Sequence, residues 1–179
     1  MKKLLMGLSG TFAAIPGLAV IATGLGAPPK LAVLFGGMIE AFGALTLLLI
    51  WVNREAIRAM PSKRVSRFAV AFGVLALVAL ITYVGCLAAT VIGTDERGVA
   101  YVPLWASGNL ASLFAAAGGR NAAVIKYGID AVLEAVASSP TIAVAGTTAL
   151  MIILYQAVFS SMTAAFGLLA IHSGSDLSD

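Results

Sequence analysis

The chain has 179 residues, 60% of them hydrophobic and 11% charged, and a mean hydropathy of +1.02. A soluble domain runs near half apolar and about a quarter charged, so this composition excludes a soluble globular enzyme. Eleven basic against eight acidic residues, with no basic stripe long enough to follow a phosphate backbone, exclude a nucleic-acid binder, and the single cysteine, Cys86, excludes a disulfide scaffold.

What is left is an integral membrane protein. A helix needs about 20 apolar residues to cross the hydrocarbon core, and four stretches qualify. The first is Leu4 to Leu25, broken by Pro16 and small polar residues, and the second is Leu31 to Val52, with one charge, Glu40. The third, Phe68 to Ile92, is uncharged, and the fourth, Thr141 to Ile171, is long enough to tilt or to project beyond the bilayer. Lipid satisfies no backbone N–H or C=O, so each span must be a helix. The expected architecture is all-α: one membrane domain over residues 1–179 with four transmembrane helices and an extracytoplasmic insertion over residues 94–139.

Charge orients these spans. Arg54, Arg58, Lys63, Arg64 and Arg67 crowd the connection between the second and third, and Lys2 and Lys3 precede the first. Basic loops stay cytoplasmic, which places both termini inside. Seven basic residues then face Glu55, Asp176 and Asp179, a net of +4 inside. Outside, Lys30, Arg97, Arg120 and Lys126 balance Asp95, Glu96, Asp130 and Glu134. The mild basicity is thus a topological signal, with anionic-lipid contact as its consequence, and the expected location is a plasma membrane of the bacterial inner-membrane type. Lys2-Lys3, the apolar run and Gly24-Leu25-Gly26-Ala27 also have the form of a secretory signal. The length of the run, and Pro28-Pro29 directly after the small residues, favour a retained first helix.

Along the first span Gly7, Gly10, Ala14, Gly17 and Gly24 recur by threes and fours with Ile21, and Pro16 predicts a kink. The third span carries Ala69, Gly73 and Ala76, then Gly85, Ala89 and Gly93. Small residues at this spacing let helix backbones approach closely, either within one bundle or across a homo-oligomeric seam.

Glu40 lies near the middle of the second span, with Gly36, Gly43 and Ala44 on its face. A carboxylate at that depth must protonate or find partners, and is a functional candidate by default. At matching depth the fourth span offers Gln156, within a polar stripe of Thr148, Gln156, Ser160 and Thr163 that ends at Gly167, and the third offers Thr82 and Tyr83. Such a cluster can hold a proton or small cation through its oxygens, or fix helix register through a neutral glutamic acid. His172, the only histidine, reads as a helix-end residue, and no second nitrogen or thiol stands at metal spacing. No cofactor is expected.

In the insertion, Tyr101 to Ala117 is nearly uncharged, carries Trp105 and Phe114, and is interrupted by Pro103 and Gly108. After Gly118-Gly119, residues Asn121 to Ser138 read as one amphipathic helix, with Lys126, Asp130 and Glu134 placed to pair along its polar side. Ser139-Pro140 reads as the N-cap and first turn of the fourth span. Residues 100–138 would then form a helical hairpin or interfacial cap, a re-entrant hairpin being the alternative.

No nucleotide loop, nucleophile–base pair or metal motif is present. The expected function is a small non-enzymatic membrane subunit, in contact with lipid and assembled with itself or into a larger membrane complex around a conduit. The alternative is a proton- or cation-coupled channel or permease centred on Glu40.

Overall fold

A computed structural model describes residues 2–23, 32–94 and 98–173. The chain is mostly helical (85%), with eight helices and one β-hairpin among the described residues. In order these are α1 (Lys2–Thr23), α2 (Ala32–Val52), α3 (Arg54–Arg58), α4 (Ser62–Thr90), β1 (Val91–Thr94), β2 (Gly98–Tyr101), α5 (Gly108–Ala117), α6 (Arg120–Tyr127), α7 (Ile129–Ala137) and α8 (Thr141–His172). They group into two compact units, residues 1–81 with 153–179, and residues 82–152.

Two described helices, α4 and α8, are long and apolar enough to cross a membrane, with mean hydropathies of 2.5 and 1.9 over their most apolar stretches. Helix α2 contributes a shorter apolar run, Met38–Val52, among residues whose side chains are described. Lys30, Asp95, Glu96, Arg97, Asp176, Asp179, the cleavage-like segment 24–27 and Pro28-Pro29 lie outside the described residues.

In the first unit, α1 runs helical through Pro16 and packs on α2. The contact is close because Gly43 has no side chain: a Cβ there would overlap the Ala13 carbonyl. Helix α2 ends at Val52, and the Asn53 amide folds back to donate to the Leu49 carbonyl (2.8 Å). The short α3 buries Ile57 (4% exposed). Pro61 then opens α4, its carbonyl accepting from the Arg64 and Val65 N–H groups. Helix α4 buries the narrow stripe Val65, Ala69, Ala76 and Ala79 and leaves Val70, Val74, Leu77 and Ile81 exposed.

The second unit has a core of its own. Ile92, Ala100 and Val102 from the hairpin pack with Leu110, Phe114, Ala123, Val124, Val132 and Ala135 from α5 to α7. Leu110, Val102, Val124 and Val132 are each fully buried, worth about 1.5–3 kcal/mol apiece. The antiparallel register sets Val91 opposite Tyr101 and Thr94 opposite Gly98, and Val102 N–H extends the ladder to the Thr90 carbonyl at 2.8 Å.

This unit corrects several expectations. The third helix does not run from Phe68 to Ile92: it starts at Ser62 and stops at Thr90, because Val91 and Ile92 pair in a strand. The hairpin also means that the fold is not purely α. The helix expected from Asn121 to Ser138 is two helices, broken at Gly128, whose φ of 85° and ψ of 165° suit only glycine. That break removes the four-residue spacing of Lys126 and Asp130. Lys126 instead donates to the Ala116 carbonyl (2.9 Å) and lies 5.1 Å from the Tyr127 ring centre. Ser139 turns backward, its hydroxyl donating to the Ala135 carbonyl at the end of α7 (3.0 Å) rather than capping α8. The stop at Gly118-Gly119 is a Schellman turn, with Gly119 N–H on the Phe114 carbonyl (2.9 Å) and Gly118 N–H on that of Ala115 (3.2 Å).

Candidate functional site

From Gln156 onward the polar stripe of α8 belongs to the first unit, whereas Thr148, also buried, belongs to the second. Gln156 Nε2 donates to Ser160 Oγ at 2.6 Å, while its Oε1 is buried with no hydrogen-bond partner among the described residues. Thr163 is fully buried; its carbonyl accepts from the Ser9 hydroxyl of α1 (2.9 Å), and its own Oγ1 has no partner among the described residues. A Cβ at Gly167 would meet Ile50 Cδ1 at 2.8 Å and Ser9 Oγ at 3.2 Å, so α1, α2 and α8 close on this glycine. On the same helix, Phe166 stacks on Phe12 of α1 (5.5 Å between ring centres), which lies 6.3 Å from Phe159, and Phe159 itself packs on Tyr155 at 4.8 Å. Ser9 is the contact that sequence reasoning missed. Its signal was a hydroxyl among small residues, between Gly7 and Gly10.

Glu40 is half-buried on α2, next to the buried Ile39 and three residues before the Gly43 contact. It makes no hydrogen bond with Gln156, whose amide nitrogen is committed to Ser160. Thr82 and Tyr83 belong to the second unit, where Tyr83 lies near Tyr101. Of the five residues expected to cluster at this depth, Gln156 and Ser160 are joined by a hydrogen bond.

The glycines fall into two groups. Gly43 is a contact, whereas a Cβ at Gly10, Gly73 or Gly85 would meet nothing within 4 Å. For Gly17 and Gly36 only the helix itself is described, and their surroundings lie outside the described residues. Of the stripe on α4, it is Ala69 and Ala76 that pack inward. Among the described residues no three of His, Cys, Asp and Glu gather as a metal site.

In the second unit the residue with the most connections is Arg120. Its guanidinium donates to the carbonyls of Ala89, in the last turn of α4, and of Leu104 (2.7 Å for the latter), 5.8 Å from the Phe114 ring centre. It thereby satisfies a carbonyl that the end of α4 leaves without an intrahelical partner. Thr147 Oγ1 accepts from Leu104 N–H (3.0 Å) and donates to the Ala143 carbonyl (2.9 Å), so Leu104 is held on both of its backbone groups. Beside these, burial pushes the Tyr101 phenol above its ordinary 10.0; the Thr90 hydroxyl opposes the shift and Cys86 adds to it.

Comparison with protein-family models, with curated proteins and with solved structures finds no match for this chain.

Proposed function

We propose that this chain is a non-enzymatic membrane subunit that crosses the bilayer four times with both termini cytoplasmic. It assembles with copies of itself or within a larger membrane complex, surrounding a conduit. One observation carries this reading: the first unit leaves large apolar side chains at its surface to a degree unusual for a soluble protein. Only 11% of the most apolar stretch of α4 is buried, and 28% of that of α8, whereas the core helix of a soluble protein is mostly buried. Its buried residues include Ser9, Ser161 and Thr163, while Phe42, Leu48, Val74 and Leu77 are at the surface. Large contiguous apolar surface is rare on soluble monomers and is what lipid or a neighbouring copy covers. The small-residue face of α4 around Gly73 and Gly85, free of any contact to a would-be Cβ, supports the same reading.

The test is twofold. Membranes from an expressing strain are washed with alkaline carbonate, and the chain is expected to stay with the lipid. The particle is then extracted in mild detergent and weighed. A multiple of 18.2 kDa, or a co-purified partner, is expected; a lone 18.2 kDa chain overturns the assembly reading.

A second reading, a proton- or cation-coupled channel or permease, rests on Glu40, a half-buried carboxylate with no hydrogen bond or ion pair to a described residue. Glu40→Gln keeps the hydrogen-bonding shape and removes the titratable group. Ion flux through reconstituted vesicles that survives this change would sink the transport reading.

A further inference from the structure

A cavity of about 390 Å³ in the first unit opens between four helices. Its apolar walls are Leu49 and Ile50 of α2, Ile57 of α3, Phe72 of α4, and Ala164 and Leu168 of α8. Thr46, Ser160 and Ser161 line it as well, and the seven steps of chain from Thr46 to Asn53 make the wall along α2 and its end about 10 Å long. Ile57 belongs to the five-residue helix that also carries Arg54 and Arg58, and α4 follows with Lys63, Arg64 and Arg67 in its first two turns. The stretch from residue 54 to 67 thus holds five positive charges against Glu55 alone. Arg54 is already occupied, lying 4.9 Å from the Trp51 ring centre and 4.0 Å from Glu55. Arg58, Lys63, Arg64 and Arg67 are exposed and pair with no described residue.

We propose that this groove holds an acyl chain of an anionic phospholipid, with Arg58, Lys63 and Arg64 gathering its phosphate. The apolar walls call for a hydrocarbon chain, and the basic stretch that follows Ile57 in the chain calls for a negative headgroup, which a zwitterionic lipid supplies only in part. A second copy of this chain would bring the same positive end against this one, and like charges repel. Each Lys or Arg near an anionic leaflet adds to the attraction, so three together give a marked preference. The inference rests on the membrane reading above but has a separate point of failure.

The full chain is purified in a neutral detergent and mixed with equal amounts of phosphatidylglycerol and phosphatidylcholine carrying the same acyl chains. The lipids retained are counted by native mass spectrometry. Phosphatidylglycerol is expected to be retained about tenfold over phosphatidylcholine. The triple variant Arg58→Gln, Lys63→Gln, Arg64→Gln should bring the ratio close to one. Leu49→Trp leaves every charge in place and narrows the groove, and it too should reduce phosphatidylglycerol retention severalfold. Thr46→Phe, at another point of the same wall, serves if Leu49→Trp fails to fold. A ratio of one for the unaltered chain overturns the proposal. So does loss of retention in the charge variant but not in the groove variants, because that pattern is surface attraction alone. Loss of the higher-mass particle in Leu49→Trp with unchanged lipid retention would give the groove to a second copy and equally overturn it. If carbonate strips the unaltered chain from membranes, the membrane reading fails; if the chain stays and the ratio is one, only the lipid inference fails.

Discussion

The two units differ in how they are held together. The second, residues 82–152, is organised around a core of its own. It has a contiguous core, a Schellman turn, a helix break at Gly128, and polar side chains that satisfy backbone groups at helix ends. The first keeps Ser9, Ser161 and Thr163 inside and turns the branched aliphatics of α4 outward. Water drives a core like that of the second unit together. The first unit joins its helices by close backbone approach at Gly43 and a hydrogen bond from Ser9; if lipid surrounds those helices, such contacts carry their packing. The difference teaches that exposure has a different meaning in each unit, and mutation can tell the meanings apart.

The largest expected effect compares two exposed apolar residues directly. Val74 on α4 is 54% exposed and Leu133 on α7 is 45% exposed. If α4 faces lipid, Val74→Asp costs about 3 kcal/mol of insertion free energy, while a surface change such as Leu133→Asp stays within about 0.5 kcal/mol. Glycosylation-reporter insertion assays on both variants read the contrast. Equal, small effects would erase the distinction between the units.

Next comes Arg120→Met, which keeps much of the apolar stem and deletes both charged hydrogen bonds. It should destabilise the second unit by about 2–3 kcal/mol, because the Ala89 and Leu104 carbonyls lose a charged donor. Denaturant melts followed by Trp105 fluorescence, in a Trp51→Phe background, would measure it. An unchanged melt would mean that the ties of Arg120 do not hold the unit together.

The same contrast explains what was legible beforehand. Apolar length alone located α8, expected from Thr141 to Ile171 and found from Thr141 to His172, and it located the end of α2 at Val52. The α8 stripe of Gln156, Ser160, Thr163 and Gly167 was readable because helical spacing fixes which residues share a face. Val91-Ile92 was not readable as a strand, since an apolar pair that continues an apolar helix carries no period of its own. Gly128, lying between residues at ideal pairing distance, carries no sequence signal that separates a stop from a tolerated helical glycine. Arg120 counted only as an outer charge, since two distant carbonyls give no local signal.

Gly43→Ala tests the other half of the comparison, the close approach. The added Cβ overlaps the Ala13 carbonyl, so α1 and α2 must move apart, at an expected cost of about 1–2 kcal/mol. Gly10→Ala, where a Cβ meets nothing within 4 Å, should cost nothing measurable and should gain slightly in helix propensity. Thermal unfolding in detergent, followed by circular dichroism, distinguishes them. Equal stability would mean that the approach at Gly43 is not needed to hold α1 against α2.

The smallest effect is confined to alkaline solution and to the second unit. Burial raises the Tyr101 phenol above 10.0, with Cys86 adding to the shift and Thr90 opposing it, so the folded unit holds this proton more tightly than the unfolded chain does. The stabilisation is fully present below pH 10.0, the unfolded value, and is lost as pH rises from there through the folded value. Tyr101→Phe removes the titrating group, at a cost at neutral pH no larger than that of the Thr90 contact, about 1 kcal/mol. The variant's stability relative to the parent's should therefore rise above pH 10.0, where the unfolded parent begins to lose its phenol proton. Tyr83 and Cys86, the titratable neighbours of this phenol, remain in both proteins, so the difference between the two curves belongs to Tyr101. Parallel curves across the alkaline range would mean that the phenol ionises as freely in the folded unit as in the unfolded chain.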